Sequence, residues 1–133
     1  MGSFKAISCW SFPRPGEEDD FERHYWESHV PLAAAIPGTV SLTLTRTAEG
    51  LEGAEPSYYR VAETVFESRE ALEAAMRTPQ WEALRADAAV MHERFGVTLA
   101  NGLGDPVPVE LTAAPSASPA DASAPTSAAS PEG

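Results

Sequence analysis

The sequence predicts an α+β sandwich in which four antiparallel strands carry two helices on one face. Three observations support this. Segments near 4–12, 39–45, 58–66 and 97–103 alternate apolar and polar residues with the period of two that a half-buried strand requires. Segments 21–32 and 68–91 carry apolar residues at helical spacing. Pro and Gly clusters separate the periodic stretches. The resulting order, βαββαβ, is that of a ferredoxin-like sandwich with a four-stranded antiparallel sheet.

The first strand places Phe4, Ala6, Ser8, Trp10 and Phe12 on one face and Lys5, Ile7, Cys9 and Ser11 on the other. Pro13, Pro15 and Gly16 stop it. Glu17, Glu18, Asp19 and Asp20 then crowd a helix start, where negative charge favours the positive end of the helix dipole. In the helix that follows, Phe21, Leu32, Tyr25, His29 and Trp26 fall on one arc at about 100° per residue, with His29 near its middle. Pro31 lacks a backbone donor and should bend or shorten the helix just after His29. Thr39–Thr45 alternates as a second strand, with Val40, Leu42 and Leu44 opposite a hydroxyl-lined face.

A loop with two glycines and a proline leads to the third strand, Tyr58–Phe66, in which Tyr59 shares a side with Val61, Glu63 and Val65. Ser68 caps a short helix through Met76, and Thr78-Pro79 starts another, with Thr78 as N-cap and Pro79 first in the helix. Trp81, Leu84, Ala88 and Met91 give that helix its apolar stripe. Val97–Leu103 closes the domain as a fourth strand. Residues 1–104 thus form one domain. From 105 to 133 the composition turns to Ala, Ser, Pro and Thr, which predicts a disordered tail. The helix-free sheet face predicts a homodimer in which two sheets pair.

A net charge of −11 with scattered Lys and Arg argues against nucleic acid and anionic membranes as partners. No apolar run approaches 20 residues, and no signal-like segment opens the chain, so a cytoplasmic location is expected. The single cysteine, Cys9, reads as a buried, inert thiol. His24 and His29 are five apart, about 140° around a regular helix, so they are not expected to converge, and no metal is expected.

His29 is the chemically suggestive residue. A titratable imidazole on an apolar arc is either hydrogen-bonded inside a core or faces a pocket, and the residues alone leave both readings open. Tyr25 lies one turn before it, and Arg60 can line the same cavity. Trp26, Trp81 and Phe21 are candidate apolar walls.

The segment from Phe21 through Leu32, with Tyr25, His29 and Pro31 in their places and Ile36-Pro37-Gly38 after it, resembles the signature of EthD-like proteins. Arg60-Val61-Ala62-Glu63, Phe66-Glu67-Ser68-Arg69-Glu70-Ala71-Leu72, Thr78-Pro79 and Ala86-Asp87 extend the resemblance over about residues 4–103. It implies a dimeric α+β barrel with a ligand cavity between sheet and helices. It also implies an activity among ether degradation, lactone isomerisation, and dehydration or decarboxylation of aromatic polyketides. The expected protein is a cofactor-independent isomerase, lyase or oxidoreductase acting on a small hydrophobic or aromatic carbonyl or hydroxyl compound. His29 and Tyr25 match the motif histidine and tyrosine and are the expected catalytic residues, with Trp26, Arg60, Phe21 and Trp81 binding substrate. The alternatives are a non-catalytic accessory protein of an oxygenase pathway and a haem-binding barrel. Trp26 is bulkier than the residue usual at its place, and the stretch from Ala88 to Phe95 is longer than the common link, so both are expected to reshape the pocket.

Overall fold

A computed structural model describes residues 2–113. The chain runs β1 (Phe4–Trp10), α1 (Glu18–His24), a π-helical turn (Tyr25–His29), α2 (Val30–Ala34), β2 (Thr39–Arg46), β3 (Arg60–Phe66), α3 (Arg69–Ala75), α4 (Pro79–Phe95) and β4 (Leu99–Gly104). The four strands form one antiparallel sheet in the order β2-β3-β1-β4. The fold is the ferredoxin-like α+β sandwich that the alternation predicted.

Strand register assigns the two faces. Ala6 pairs with Thr64 and Leu103, Ser8 with Ala62 and Asn101, and Trp10 with Arg60 and Leu99, so these side chains share the helix-covered face. Lys5, Ile7 and Cys9 pair with Val65, Glu63 and Val61 on the opposite face. Cys9 is half-buried on that open face, not buried as expected. The register of β2 against β3 shifts between Thr39 and Ser41, so Val40 leaves the alternation and is exposed, not on the Leu42 and Leu44 face expected for it.

Two apolar clusters hold helices to sheet. One gathers Trp10, Phe21, Tyr25, Tyr59, Met91, Phe95 and Val97 beneath α1 and the end of α4. The other gathers Phe4, Ile36, Phe66, Leu72 and Ala75 beneath α3. Tyr59 departs from its expected face. It precedes the first residue of β3, so it escapes the strand's alternation and packs edge-on against Phe21 with ring centroids 5.4 Å apart. Val97 likewise precedes β4 and is fully buried in the core.

The helix starts follow the sequence. Ser68 Oγ accepts from the Ala71 N–H at 3.0 Å, and Thr78 Oγ1 accepts from the Trp81 N–H at 3.2 Å, with Pro79 in the first turn. α4 continues through Phe95 and ends at Gly96, whose φ of 73° is a left-handed conformation that glycine adopts without steric cost. Of the expected tail, residues 105–113 carry no helix or strand and are largely exposed. Residues 114–133 lie outside the described part. No described helix is long and apolar enough to cross a membrane.

Candidate functional site

Between the sheet and the helices lies a cavity of about 260 Å³. Its sheet wall is mostly aliphatic, with Ala6, Leu42, Leu44 and Leu99, and its helical wall includes Val30, Trp81, Leu84 and Ala88. Trp10, Tyr25 and His29 are buried and form its inner end, whereas Met76, Arg85, Asn101 and Leu103 are exposed and mark its mouth. Polar groups are few, as in most small-molecule sites. On the sheet wall, Ser8 Oγ donates to Asn101 Oδ1 at 2.7 Å.

The π turn shapes the inner end. The Val30 N–H donates to the Tyr25 carbonyl, an i to i−5 bond, and Pro31 has no N–H to restore α-helical pairing with Glu27. A wider turn brings residues five apart onto nearly the same face. His24 and His29 therefore converge, contrary to the regular-helix expectation, and both meet Asp87 of α4. His29 Nδ1 lies 2.8 Å from Asp87 Oδ2. His24 Nε2 lies 3.0 and 3.1 Å from Asp87 Oδ1 and Oδ2.

These contacts fix the tautomers. An ionised carboxylate only accepts, so His29 donates from Nδ1 and His24 from Nε2. In its neutral form His24 presents Nδ1 as an acceptor to Arg94 Nη1, 3.4 Å away. For His29 the lone pair falls on Nε2, which has no protein partner among the described residues. Burial lowers the pKa of His29 below the ordinary 6.5, against the opposing hydrogen bond and charge of Asp87, and His24 lowers it further. The imidazole is accordingly neutral and able to accept a proton at neutral pH.

Tyr25 stacks nearly parallel to His29 with ring centroids 6.0 Å apart, and Trp10 meets His29 edge-on at 5.3 Å. Burial pushes the Tyr25 phenol up to about 12, partly offset by the charge of Arg60. Tyr25 is thus a hydrogen-bond donor at the cavity wall. Behind its ring sits the Arg60 guanidinium, 4.8 Å from the centroid. Arg60 is held in turn by Glu22 of α1, with Nε to Oε2 at 3.1 Å and Nη2 to Oε1 at 2.5 Å, while the Tyr59 hydroxyl donates to Glu22 Oε2 at 2.7 Å. Burial alone would raise the Glu22 carboxyl, but these bonds and the charges of Arg60 and Arg46 hold it below the usual carboxylate range.

The EthD domain family matches residues 14–94, which span both halves of this arrangement. The chain belongs to the EthD family. It is 32% identical over 78 residues to an uncharacterised 11.0 kDa protein in the thcB-thcC intergenic region of Rhodococcus erythropolis, covering 59% of this chain and 75% of that protein. An EthD family protein of Bacillus halodurans superposes with a TM-score of 0.59 at 27% identity, covering 75% of this chain and 96% of the other. SnoaB of Streptomyces nogalater, a cofactor-independent oxygenase, superposes at 0.54 with 20% identity, covering 82% and 97%. At that identity SnoaB speaks for the fold alone.

Within the EthD domain, the residues read from the sequence separate into two groups. His29, Tyr25 and Trp81 meet on the cavity wall. Phe21, Trp26 and Arg60, expected to bind substrate, do not line it. Phe21 lies one turn before Tyr25 and is fully buried against Trp10, Tyr59 and Phe95. Trp26 follows Tyr25 directly, so the helix turns it outward, where it is 50% exposed and lies over Arg60. Arg60 is buried behind Tyr25 and occupied by Glu22. Asp87 was missed as a site residue, although a signal existed. It sits three residues after Leu84 and four before Met91, a carboxylate inside an apolar stripe that needs a buried partner.

Proposed function

We propose that this EthD-family chain is a small cofactor-independent enzyme in which His29 acts as a general base on a hydrophobic carbonyl or hydroxyl compound. The observation that carries this reading is the 2.8 Å contact from His29 Nδ1 to Asp87 at the buried end of an apolar cavity. Asp87 orients the ring and holds its proton on Nδ1, which leaves Nε2 to take a proton from an activated C–H or O–H of the substrate. The phenol of Tyr25 donates to the oxygen on which negative charge develops. The enolate or phenolate so formed is the shared entry to isomerisation, dehydration and reaction with dioxygen. An oxygenase outcome such as the name of SnoaB states and a lyase or isomerase outcome therefore begin with the same step.

The cavity volume supports a ligand of one or two rings over a haem macrocycle, since it lies near the lower end of small-molecule sites. A homodimer paired through the open sheet face belongs to the same proposal. The test of the base is hydrogen exchange at carbon. In D₂O, the protein should accelerate exchange of the α-protons of 2-tetralone above buffer, followed by NMR. His29→Gln should remove about 10²–10⁴-fold of that acceleration. Equal rates for the two proteins, or no acceleration by either, sink the reading. Binding without exchange points instead to a ligand-carrying role.

A further inference from the structure

The mouth of the cavity carries a cation that no carboxylate among the described residues pairs. Arg85 lies on the turn of α4 shared by Trp81, Leu84 and Ala88, lines the cavity and is exposed, which is how an arginine at an opening lays its stem on apolar wall and keeps its guanidinium toward water. Lys5, Arg14, Arg23, Arg46, Arg60 and Arg69 are each within 4.0 Å of a carboxylate. Arg94 lies against His24 and over the Phe95 ring. Among the described residues Arg85 has no such partner, although the chain as a whole carries a net charge of −11 and offers 20 acidic side chains. Arg77 is similarly unpaired but does not line the cavity.

The cavity is therefore polarised along its length. Its inner end presents neutral His29 and Tyr25, its walls are mostly aliphatic with only uncharged polar groups at Ser8, Thr64 and Asn101, and its mouth presents one permanently charged guanidinium. A molecule matched to that sequence is amphipathic, with a reactive carbon or hydroxyl inside, an apolar body, and an anionic group at the opening. We infer that the ligand class is an aromatic or alicyclic carboxylate whose carboxyl group pairs with Arg85 at the cavity mouth. The pairing also gives the ligand one orientation, carboxylate outward, which points the opposite edge of the ring system at His29. This inference rests on the cavity being the ligand site, and it concerns selectivity among ligands, not the chemistry of His29.

The experiment compares 2-naphthoate with its uncharged methyl ester, with binding to the full chain followed by quenching of tryptophan fluorescence at low salt, since Trp10 and Trp81 lie in the cavity wall. The expected result is about tenfold tighter binding of the carboxylate, the size of a charge-assisted hydrogen bond at an exposed rim, decreasing as salt is added. Arg85→Gln should abolish the preference by weakening naphthoate alone, Arg85→Lys should restore part of it, and Arg77→Gln should leave it intact. Equal affinities, a preference for the ester, a preference that survives Arg85→Gln, or one lost equally with Arg77→Gln overturns the inference. Binding of both probes with no preference defeats the carboxylate inference and spares the cavity as a ligand site. Binding of neither defeats both.

Discussion

At His29 two opposing effects decide what the residue can do. Burial disfavours the imidazolium, and Asp87 favours it, and the balance leaves the pKa below 6.5. A base with that setting loses activity as the pH falls through its folded pKa, so the acid limb of a pH–rate profile should lie below 6.5. Asp87→Asn removes the neighbouring negative charge, which shifts the limb to still lower pH. It also leaves one acceptor oxygen for the two N–H donors of His24 and His29, so the rings compete for it, the hold on the His29 ring weakens and kcat should fall about 10²-fold or more with KM little changed. An unchanged kcat, or a limb that moves upward, contradicts the role given to Asp87. The sequence showed His29 because an imidazole stands out on an aromatic arc. It hid the partnership with His24, because a spacing of five converges only where the backbone widens, and only hydrogen bonds in the folded chain show that Val30 reaches back to Tyr25.

At the scale of elements, local chemistry was readable and long-range pairing was not. Ser68 and Thr78-Pro79 announce helix starts because capping depends on residues three apart in sequence. Glu22 announces nothing, because its partners Tyr59 and Arg60 lie 37 and 38 residues away. This carboxylate joins α1 to the start of β3 and keeps Arg60 behind the Tyr25 ring, so it supports the cavity's inner end from outside. Glu22→Gln leaves a guanidinium that is only 3% exposed without its counter-charge and should cost about 3 kcal/mol near pH 7. The folded pKa of Glu22 is depressed, so the stabilisation is fully present above its ordinary 4.5 and is lost as the pH falls through the folded value. Urea titrations should therefore show a wide gap between wild type and variant near neutrality and a narrowing gap below 4.5. A gap independent of pH would mean that the effect is packing, not charge.

For the whole molecule, alternation assigned the two faces of the sheet except at the start of β2, where the register shift leaves Val40 61% exposed, and among the described residues only one face finds cover. Ile7, Cys9, Val61 and Val65 share the open face with Ser41, Thr43 and Thr45, and Ile7 is 40% exposed there. A domain of this size buries a modest fraction of its surface, so leaving the aliphatic part of this mixed face in water is a loss. In the proposed homodimer a second copy would supply the matching surface, since a two-fold axis lets one face meet itself. Light scattering at micromolar concentration should then give twice the 14.1 kDa chain mass. Val61→Glu is the sharper probe. It places a carboxylate two residues from Glu63 on the same face, and two-fold symmetry presents both charges again from the partner. The variant should run as a monomer with the far-ultraviolet circular dichroism of the wild type. A monomeric wild type, or a variant that stays dimeric, would place the covering surface elsewhere.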